Sequence, residues 1–257
     1  MAKFYERLDN IFARRKIYSF RKIRKFLQNH NVQINGKRIF TSGTKVSLFT
    51  DEISIDGKKI NLKNDIYILM NKAKNFICST VESKNKDYKT VYEILPKEFL
   101  NQTELPKLHT VGRLDVDTEG LLIFTTNGNL SHKLCSPDFH ISKKYFVELK
   151  NSLSAEEQKI YTEKFAQGLK ISHYGNEKGF VSKPAILEFL NEKTCCLTIS
   201  EGKFHQVKRM FLALENEVVY LKRIEMGKLK LDENLKTGDW RFLTEEEVSL
   251  LCLSDLK

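Results

Sequence analysis

A carboxylate that could do chemistry lies near the middle of the chain, at Asp115. It follows Gly112-Arg113-Leu114 and comes just before an apolar stretch, Leu121 to Thr125, that is typical of a buried strand. Loops at strand ends commonly hold catalytic side chains, although this segment taken alone is explained more simply by a turn aspartate. Asp117 and Glu119 lie close enough in sequence to form an acidic cluster with Asp115. Such a cluster is also the pattern of a Mg²⁺-dependent nuclease.

The elements that would position this loop are mostly strands, with a few helices. Amphipathic helices are predicted over Ala155–Phe165 and His205–Leu214, and a capping box at Thr244 predicts a terminal structural helix. The strand-like segments are Ile66–Met70, Leu121–Thr125, Tyr145–Leu149, Ala185–Leu190, Cys195–Ile199 and Val218–Ile224. Because the helices are too few to cross over between all these strands, we expect an α+β domain with a mixed, largely antiparallel sheet and flanking helices.

The positive charge of the chain is concentrated in its first quarter. The whole chain has a net charge of +10, but residues 1–60 hold 14 Lys and Arg against 5 Asp and Glu, while the remainder holds 29 against 28. No acidic residue lies between Asp9 and Asp51, whereas solvated faces usually mix both signs. A phosphate backbone is the expected partner. An anionic membrane surface is disfavoured because the segment offers no large apolar face.

The basic quarter also has the pattern of a small folded module. Ser19 is expected to cap a helix with one apolar stripe, formed by Phe20, Ile23, Phe26 and Leu27. A preceding helix has a similar stripe at Leu8, Ile11 and Phe12. Asn35-Gly36 predicts a hairpin with a type I′ turn, and a second hairpin is predicted at Asp56-Gly57.

This module resembles the S4 RNA-binding domain. The resemblance rests on Arg7-Leu8-Asp9, the basic second helix and Val32-x-Ile34-Asn35-Gly36-Lys37. It implies a small N-terminal α/β domain over residues 1–60, followed by a polar linker at about 61–65 and a catalytic domain over 66–257. The basic side chains on the outside of the first domain are expected to bind RNA. They are Arg14, Arg15, Lys16, Arg21, Lys22, Arg24, Lys25 and Lys37.

Three motifs in the rest of the chain point together to one family. They are Gly112-Arg113-Leu114-Asp115-x-x-Thr118-x-Gly120-Leu121-Leu122-Ile123, then Lys143-Lys144-Tyr145-Phe146-Val147, then Ile199-Ser200-Glu201-Gly202-Lys203-Phe204-His205-Gln206-Val207-Lys208-Arg209-Met210-Phe211. In order and spacing they resemble the ribosomal pseudouridine synthases of the small-subunit synthase A superfamily. One such motif would be weak evidence, but three in the right order are specific.

The resemblance implies an enzyme that detaches uracil from its ribose, turns the base and rejoins it through C5. Asp115 would attack the ribose C1′ or abstract a ribose proton, and either role needs an ionised carboxylate. By motif position, Lys208 is the cation that favours this form, and Tyr145 would stack on the flipped-out uracil. Arg113 is expected to hold the phosphate displaced by flipping. Arg209, which points about 100° away from Lys208 on a helix, is a lesser RNA contact.

One departure from the family concerns the end of the first strand. The family usually has N-K-P-x-G there, whereas this chain reads Asn71-Lys72-Ala73-Lys74-Asn75. Losing the proline and the glycine changes the preferred backbone of that loop.

The resemblance also bears on cofactors and partners. The isomerisation involves neither redox change nor phosphate transfer, so no cofactor and no metal are expected. The residues around His205 favour a uridine of 16S rRNA, free or in the assembling small ribosomal subunit. A 23S rRNA target and a noncatalytic S4-domain RNA-binding protein are the alternatives.

The remaining composition indicates an ordinary globular protein. The five cysteines are scattered and form no C-x-x-C pair, which argues against a disulfide framework or a zinc site. The longest clean apolar runs are far too short to span a bilayer. A cytoplasmic monomer without a membrane anchor is therefore expected.

Overall fold

The structure, a computed structural model, describes residues 5–14, 17–19, 22–47, 51–60, 65–80, 87–100 and 107–252. The chain divides into two compact units, one comprising residues 1–65 and 97–105 and the other residues 66–96 and 106–257. Within the described ranges, no helix is long and apolar enough to cross a membrane.

The first unit packs two short helices against small antiparallel sheets. Its elements are β1 (Tyr5–Arg7), α1 (Leu8–Arg14), α2 (Ile23–Asn29), β2 (Val32–Ile34), β3 (Lys37–Arg38), β4 (Lys45–Ser47), β5 (Ile53–Ile55), β6 (Lys58–Ile60) and, later in the chain, α3 (Lys97–Leu100). Strands β3, β2, β5 and β6 form one sheet in that order, and β1 pairs with β4. The described residues of the predicted apolar stripes face inward, because Leu8, Ile11, Phe12, Ile23, Phe26 and Leu27 belong to one buried cluster. Phe20, also predicted to belong to the second stripe, lies outside the described residues.

Both predicted hairpins of this unit are confirmed. Asn35 and Gly36 have φ values of 50° and 78°, and Asp56 and Gly57 have 49° and 79°. Two consecutive positive φ angles are the requirement of a type I′ turn, which residues such as Asn, Asp and Gly meet at low cost. The prediction that Ser19 caps the second helix is wrong. Helix α2 begins at Ile23 with Lys22 at its N-cap, and the Ser19 carbonyl instead accepts a hydrogen bond from the Lys22 N–H at 3.0 Å.

The second unit is built on one large mixed sheet. Its strands are β7 (Tyr67–Lys72), β8 (Phe76–Ile77), β9 (Lys89–Thr90), β10 (His109–Thr110), β11 (Glu119–Thr125), β12 (Lys143–Leu149), β13 (Lys170–Ile171), β14 (Phe180–Val181), β15 (Ile186–Phe189), β16 (Thr194–Ile199), β17 (Val218–Met226), β18 (Leu229–Lys230) and β19 (Trp240–Phe242). Its helices are α4 (Gly128–Cys135), α5 (Ala155–Gln167), α6 (Gln206–Leu212) and α7 (Glu245–Cys252), with 3₁₀ turns at Val91–Ile94 and Pro137–Phe139.

The large sheet is largely antiparallel, as predicted. Its main order is β15-β16-β12-β17-β11-β7-β19, with β10 added beside β11 and β18 beside β17. Among the described residues, β11 and β17 are the one parallel pair of this sheet. The fold is therefore α+β.

Helices α4 and α7 pack against the sheet and contribute to its hydrophobic core. Leu130 and Leu134 of α4 and Leu251 of α7 join a buried cluster with strand residues such as Leu121 and Ile123. The capping box predicted at the last helix is present, because the Glu247 N–H donates to Thr244 Oγ1 at 3.2 Å and the Thr244 N–H donates to Glu247 Oε2 at 2.9 Å. Elsewhere, α5 and α6 meet through the rings of Phe165 and Phe211, whose centroids are 4.9 Å apart.

The parallel pairing of β11 with β17 brings the loop before β11 close to β12. Gly120 of β11 lies opposite Arg223 of β17, and Arg223 in turn lies opposite Tyr145 of β12. A Cβ at Gly120 would come within 2.2 Å of the Arg223 carbonyl oxygen, and the φ of Gly120 is +100°, so this close approach requires glycine. The loop that enters β11 is thereby held beside the strand that carries Tyr145.

Candidate active site

The loop that carries Asp115 is fixed at its base by backbone contacts. Val111 is buried and its N–H donates to the Ile123 carbonyl at 2.7 Å. Gly112 has a φ of +69°, a conformation that favours glycine. Leu114 is buried, and its N–H donates to the Cys78 Sγ at 3.4 Å. Asp115 therefore lies on a loop whose preceding residues are buried and hydrogen-bonded, and not on an unsupported surface turn.

Lys72, at the end of β7, lies underneath this loop. Its side chain is fully buried at 0% exposure, and its ammonium donates to the carbonyl oxygens of Asp115 at 2.9 Å and Thr118 at 2.8 Å. Further bonds reach the Ala73 carbonyl at 3.1 Å and the Val116 carbonyl at 3.4 Å. Burial lowers the pKa of Lys72 to about 8, because a charged amine loses its hydration there. No sequence pattern indicates this role, since a lysine at a strand end is usually solvated.

The loop after Lys72 keeps a sharp turn without the glycine of the family motif. Asn75 occupies that position with a φ of 67°, and asparagine tolerates the left-handed region better than most residues. Its N–H donates to the Val116 carbonyl at 2.8 Å. The β7 loop and the Asp115 loop are thus tied together, and the departure from N-K-P-x-G leaves that connection in place.

Two basic side chains approach the Asp115 carboxylate. The Lys208 ammonium lies 3.4 Å from Asp115 Oδ2 and 2.5 Å from Asp117 Oδ1. The His205 Nε2 lies 3.7 Å from Asp115 Oδ1. Although partial burial opposes ionisation of Asp117, the Lys208 ammonium holds the pKa of that carboxyl below its ordinary value. The pairing of Asp115 with Lys208 expected from the motif is present, and the motif did not predict that Asp117 would share the cation.

An open cavity of about 450 Å³ adjoins Asp115. Its wall includes Tyr145, which is buried, and Arg113, which is exposed. Phe204 and His205 also line it, with their rings stacked at a centroid distance of 3.8 Å. Asp115, Tyr145, Lys208 and Arg113 are thus brought together in one unit, although they are far apart in sequence.

A buried carboxylate shapes the loop that delivers His205 and Lys208. Glu201 accepts hydrogen bonds from Gln206 Nε2 at 2.6 Å and from the Lys183 N–H at 2.8 Å. His205 then has a left-handed φ of 50° immediately before α6. This turn fixes the start of α6, and with it the direction from which Lys208 meets Asp115.

The prediction that Arg209 contacts RNA does not fit its position. Arg209 is buried, and its guanidinium donates to the carbonyls of Ser172 at 2.8 Å and Lys178 at 3.0 Å. It also lies 4.8 Å from the ring centroid of Phe180. Its donors therefore anchor the 172–180 segment to α6 and are not presented to a phosphate. Arg209 follows Lys208 on α6, but the segment that covers its side chain is distant in sequence.

The predicted RNA-binding residues of the first unit are described in part. Lys22, Arg24, Lys25 and Lys37 are exposed, on α2 and the first hairpin. Arg15, Lys16 and Arg21 lie outside the described residues, as does the side chain of Arg14.

The acidic cluster expected of a nuclease is not assembled for a metal. Lys208 occupies the space between Asp115 and Asp117, and Glu119 Oε2 accepts a hydrogen bond from the Tyr220 hydroxyl at 2.8 Å. In the described part of the chain, no group of three or more His, Cys, Asp and Glu side chains could hold a metal ion. The carboxylates are arranged around a cation supplied by the protein itself.

Comparison with known proteins gives one consistent family. Residues 66–213 match the family of RNA pseudouridylate synthases. The chain is 36% identical over 250 residues to an uncharacterized RNA pseudouridine synthase of Bacillus subtilis, covering 95% of this chain and 98% of that protein. It is 35% identical over 244 residues to ribosomal small subunit pseudouridine synthase A of Escherichia coli, with 95% and 98% coverage. A solved pseudouridylate synthase matches with a TM-score of 0.61 and 35% identity, covering 95% of this chain and 99% of that one.

Proposed function

Because this chain belongs to the RNA pseudouridylate synthase family, we propose that it converts one uridine of 16S rRNA to pseudouridine, with Asp115 as the catalytic carboxylate. The observation that carries the proposal is the position of Asp115. Its carboxylate lies at a cavity wall, within 3.4 Å of the Lys208 ammonium, while its own backbone is anchored by Lys72. A fixed, ionised carboxylate beside a cavity is what attack at C1′ or proton abstraction from the ribose requires.

Each neighbour of Asp115 has a role in this proposal. Lys208 pairs with the carboxylate and limits its rotamers. Tyr145 offers a ring on which a flipped-out uracil stacks. Arg113, exposed at the cavity, binds the phosphate of the flipped nucleotide as a charge-assisted pair. No step needs a metal or an organic cofactor, because bond cleavage and rejoining exchange groups within one nucleotide.

The first unit is proposed to bring the RNA. Lys22, Arg24, Lys25 and Lys37 are exposed on a small unit that has its own buried cluster. Cations held on a folded surface attract a phosphate backbone without reading its sequence. The unit would therefore supply affinity as an S4-like domain over about residues 1–60, and the catalytic domain over 66–257 would supply the choice of uridine.

The choice of 16S rRNA rests on similarity over nearly the whole chain. The Escherichia coli relative, named a ribosomal small subunit pseudouridine synthase, aligns over 95% of this chain. The His205-Gln206-Val207-Lys208 run of the third motif supports the same substrate. We propose that the enzyme acts as a cytoplasmic monomer on rRNA or on the assembling small subunit, since Asp115, Tyr145 and Lys208 are brought together within one chain.

Two assays test the proposal. Release of tritium from uridine labelled at C5 reports isomerisation, and it should continue in excess EDTA. Carbodiimide-stop primer extension then locates the pseudouridine in 16S and 23S rRNA from cells with and without the gene. Loss of one 16S site is expected. Loss of a 23S site alone would refute the substrate, and absence of tritium release from any rRNA would leave an RNA-binding protein without this activity.

A further inference from the structure

Two buried cations line the same cavity as Asp115 and Tyr145. Lys143 and Tyr145 are two residues apart on β12, so their side chains share one face of the sheet. Arg223 lies directly opposite Tyr145 on β17, and cross-strand partners also share a face. Both Lys143 and Arg223 line the cavity. The sheet therefore places two positive charges next to the ring proposed to hold the base.

These cations have spare hydrogen-bonding capacity. Arg223 is 3% exposed, and its Nε donates to the Leu121 carbonyl at 2.8 Å. Its Nη2 is buried and has no acceptor among the described residues. Lys143 is 7% exposed, and its ammonium donates to the Ile141 carbonyl at 2.9 Å. A buried donor without an acceptor is destabilising, so Arg223 Nη2 is available to bind an acceptor supplied by a ligand.

The charge around these two groups is unbalanced. Asp115 is the one carboxylate among the described residues that line this cavity, and it already faces Lys208. Burial lowers the pKa of Lys143, and the nearby charge of Arg223 lowers it further. The cavity thus has an excess of positive charge, and two of its cations are themselves shielded from water. An anion that enters the cavity would reduce the repulsion between Arg223 and Lys143. It would also supply the acceptor that Arg223 Nη2 lacks.

We propose that Arg223 and Lys143 bind the carbonyl oxygens of uracil and stabilise the negative charge that the base carries when it is detached from the ribose. This inference rests on the proposed function and assigns the leaving base its own binding groups. A guanidinium and an ammonium on one wall can hold a flat anion with oxygen atoms on two sides, and they need not release it while it turns.

The bond changes explain why an anion must form. When the C1′–N1 bond breaks, its electron pair remains with the base. In the nucleophilic route an Asp115 oxygen forms a bond to C1′, and in the elimination route Asp115 takes the C2′ proton while a C1′–C2′ double bond forms. Uracil leaves as an anion in both. Its charge is consumed when C5 bonds to C1′: in the nucleophilic route the Asp115–C1′ bond then breaks and frees the carboxylate, and in the elimination route Asp115 returns the proton to C2′ as the double bond is lost. The C5 proton is then lost and N1 gains a proton.

This demand for charge stabilisation is met by preorganised donors. Groups already oriented toward developing charge in a site with little water are worth far more than the same groups in solution. Lys208 cannot serve this purpose as well, because its ammonium is held by Asp115 and Asp117. Arg223 and Lys143 are the buried cations of the cavity, and no ion pair with a carboxylate is present for either among the described residues.

The test compares leaving groups of different acidity. Arg223→Gln and Lys143→Gln are assayed under single-turnover conditions with RNA that carries uridine or 5-fluorouridine at the target, following loss of the starting nucleoside. With uridine each variant should lose about 100-fold in rate, the usual effect of removing one such donor. With 5-fluorouridine the rate loss of each variant should be less than about 10-fold. Fluorine already stabilises the base anion, so the cleavage depends less on the two cations.

The controls separate this role from a structural one. Lys222→Gln changes a cation on the same strand whose side chain alternates to the other face, and it should leave both rates unchanged. Arg223→Lys keeps the charge and should recover part of the rate even if Arg223→Gln folds poorly. Affinity for RNA and the melting temperature of Lys143→Gln should match the wild type.

Two outcomes would overturn the inference. Equal losses with uridine and 5-fluorouridine would mean that the cations only support the fold, and unchanged rates in both variants would mean that they do not contact the base. A wild-type chain without isomerase activity would refute the proposed function and this inference together, so the two failures are distinguishable.

Discussion

Replacing Lys72 by methionine tests how the Asp115 loop is held. The substitution keeps the length of the side chain but removes the ammonium that donates to the Asp115 and Thr118 carbonyls at 2.9 and 2.8 Å. It also removes a charge that is fully buried. The two losses act in opposite directions on stability, and the loss of the hydrogen bonds removes support from the loop that presents the carboxylate.

The size of each effect follows from the structure. The pKa of Lys72 falls from 10.5 to about 8, and one pKa unit corresponds to about 1.4 kcal/mol, so burying the charge costs roughly 3 kcal/mol at neutral pH. Each carbonyl that loses its donor costs about 1 to 3 kcal/mol. For the two short bonds this amounts to about 2 to 6 kcal/mol, so the net change in the free energy of unfolding at pH 7 should lie between a gain of about 1 and a loss of about 3 kcal/mol. Catalysis should also be affected. We expect kcat/KM to fall about 100-fold, because a small displacement of a reacting group can lower the rate by this factor.

The pH dependence of stability gives the sharper signature. Below about pH 8 Lys72 is charged in both states, so the native protein bears the full cost of burying that charge. Between about pH 8 and 10.5 the native state binds fewer protons than the unfolded state, so wild-type stability rises with pH. The wild type should gain up to about 3 kcal/mol over Lys72→Met across this window.

Urea unfolding at pH 7.5 and pH 10 measures this change in the wild type, in Lys72→Met and in the control Lys74→Met. Lys74 is exposed two residues away, so its variant should follow the wild type at both pH values. A stability gap between the wild type and Lys72→Met that stays constant with pH would refute the buried charge. An unchanged kcat/KM in Lys72→Met would refute the anchoring of the loop.

Three other predictions concern separate parts of the molecule. Lys208→Gln should lower the single-turnover rate about 100-fold with unchanged RNA affinity, because the cation beside Asp115 is lost. A wild-type rate in this variant would show that the ion pair between Lys208 and Asp115 is not needed for catalysis. Asn75→Ala should lower the free energy of unfolding by about 1 kcal/mol, since the φ of 67° remains, whereas Asn75→Gly should not destabilise in the same urea titration. Replacing Arg24 and Lys25 together by glutamine should reduce the slope of log affinity against log salt by up to about 1.8, and an unchanged slope would remove α2 from the RNA-binding face.

Local features of the fold could be predicted from the sequence because they depend on neighbouring residues. The turn at Asn35-Gly36 and the capping box at Thr244 need only two to four residues each. The inward stripe of Ile23, Phe26 and Leu27 follows from helical periodicity. Ser19 failed as a helix cap because several polar residues can precede a helix, and the start of α2 at Ile23 is not determined by the capping preference of one residue.

Features that depend on distant segments could not be predicted in the same way. The burial of Arg209 depends on carbonyls at 172 and 178, and the burial of Lys72 depends on a loop more than forty residues later. No periodicity connects such positions. The proximity of Lys208 to Asp115 was expected only through the resemblance to a family, since ninety residues separate the two and only the fold brings them within 3.4 Å.

The central claim, that Asp115 is the catalytic carboxylate, is tested most directly by Asp115→Asn. The amide is nearly the same size, and the backbone bond from Lys72 to the carbonyl of residue 115 should persist. We expect a variant with wild-type melting temperature and RNA affinity, but without release of tritium from C5-labelled uridine in rRNA. Asp115→Ala should behave alike. Tritium release by both variants at the wild-type rate would contradict the assignment of Asp115.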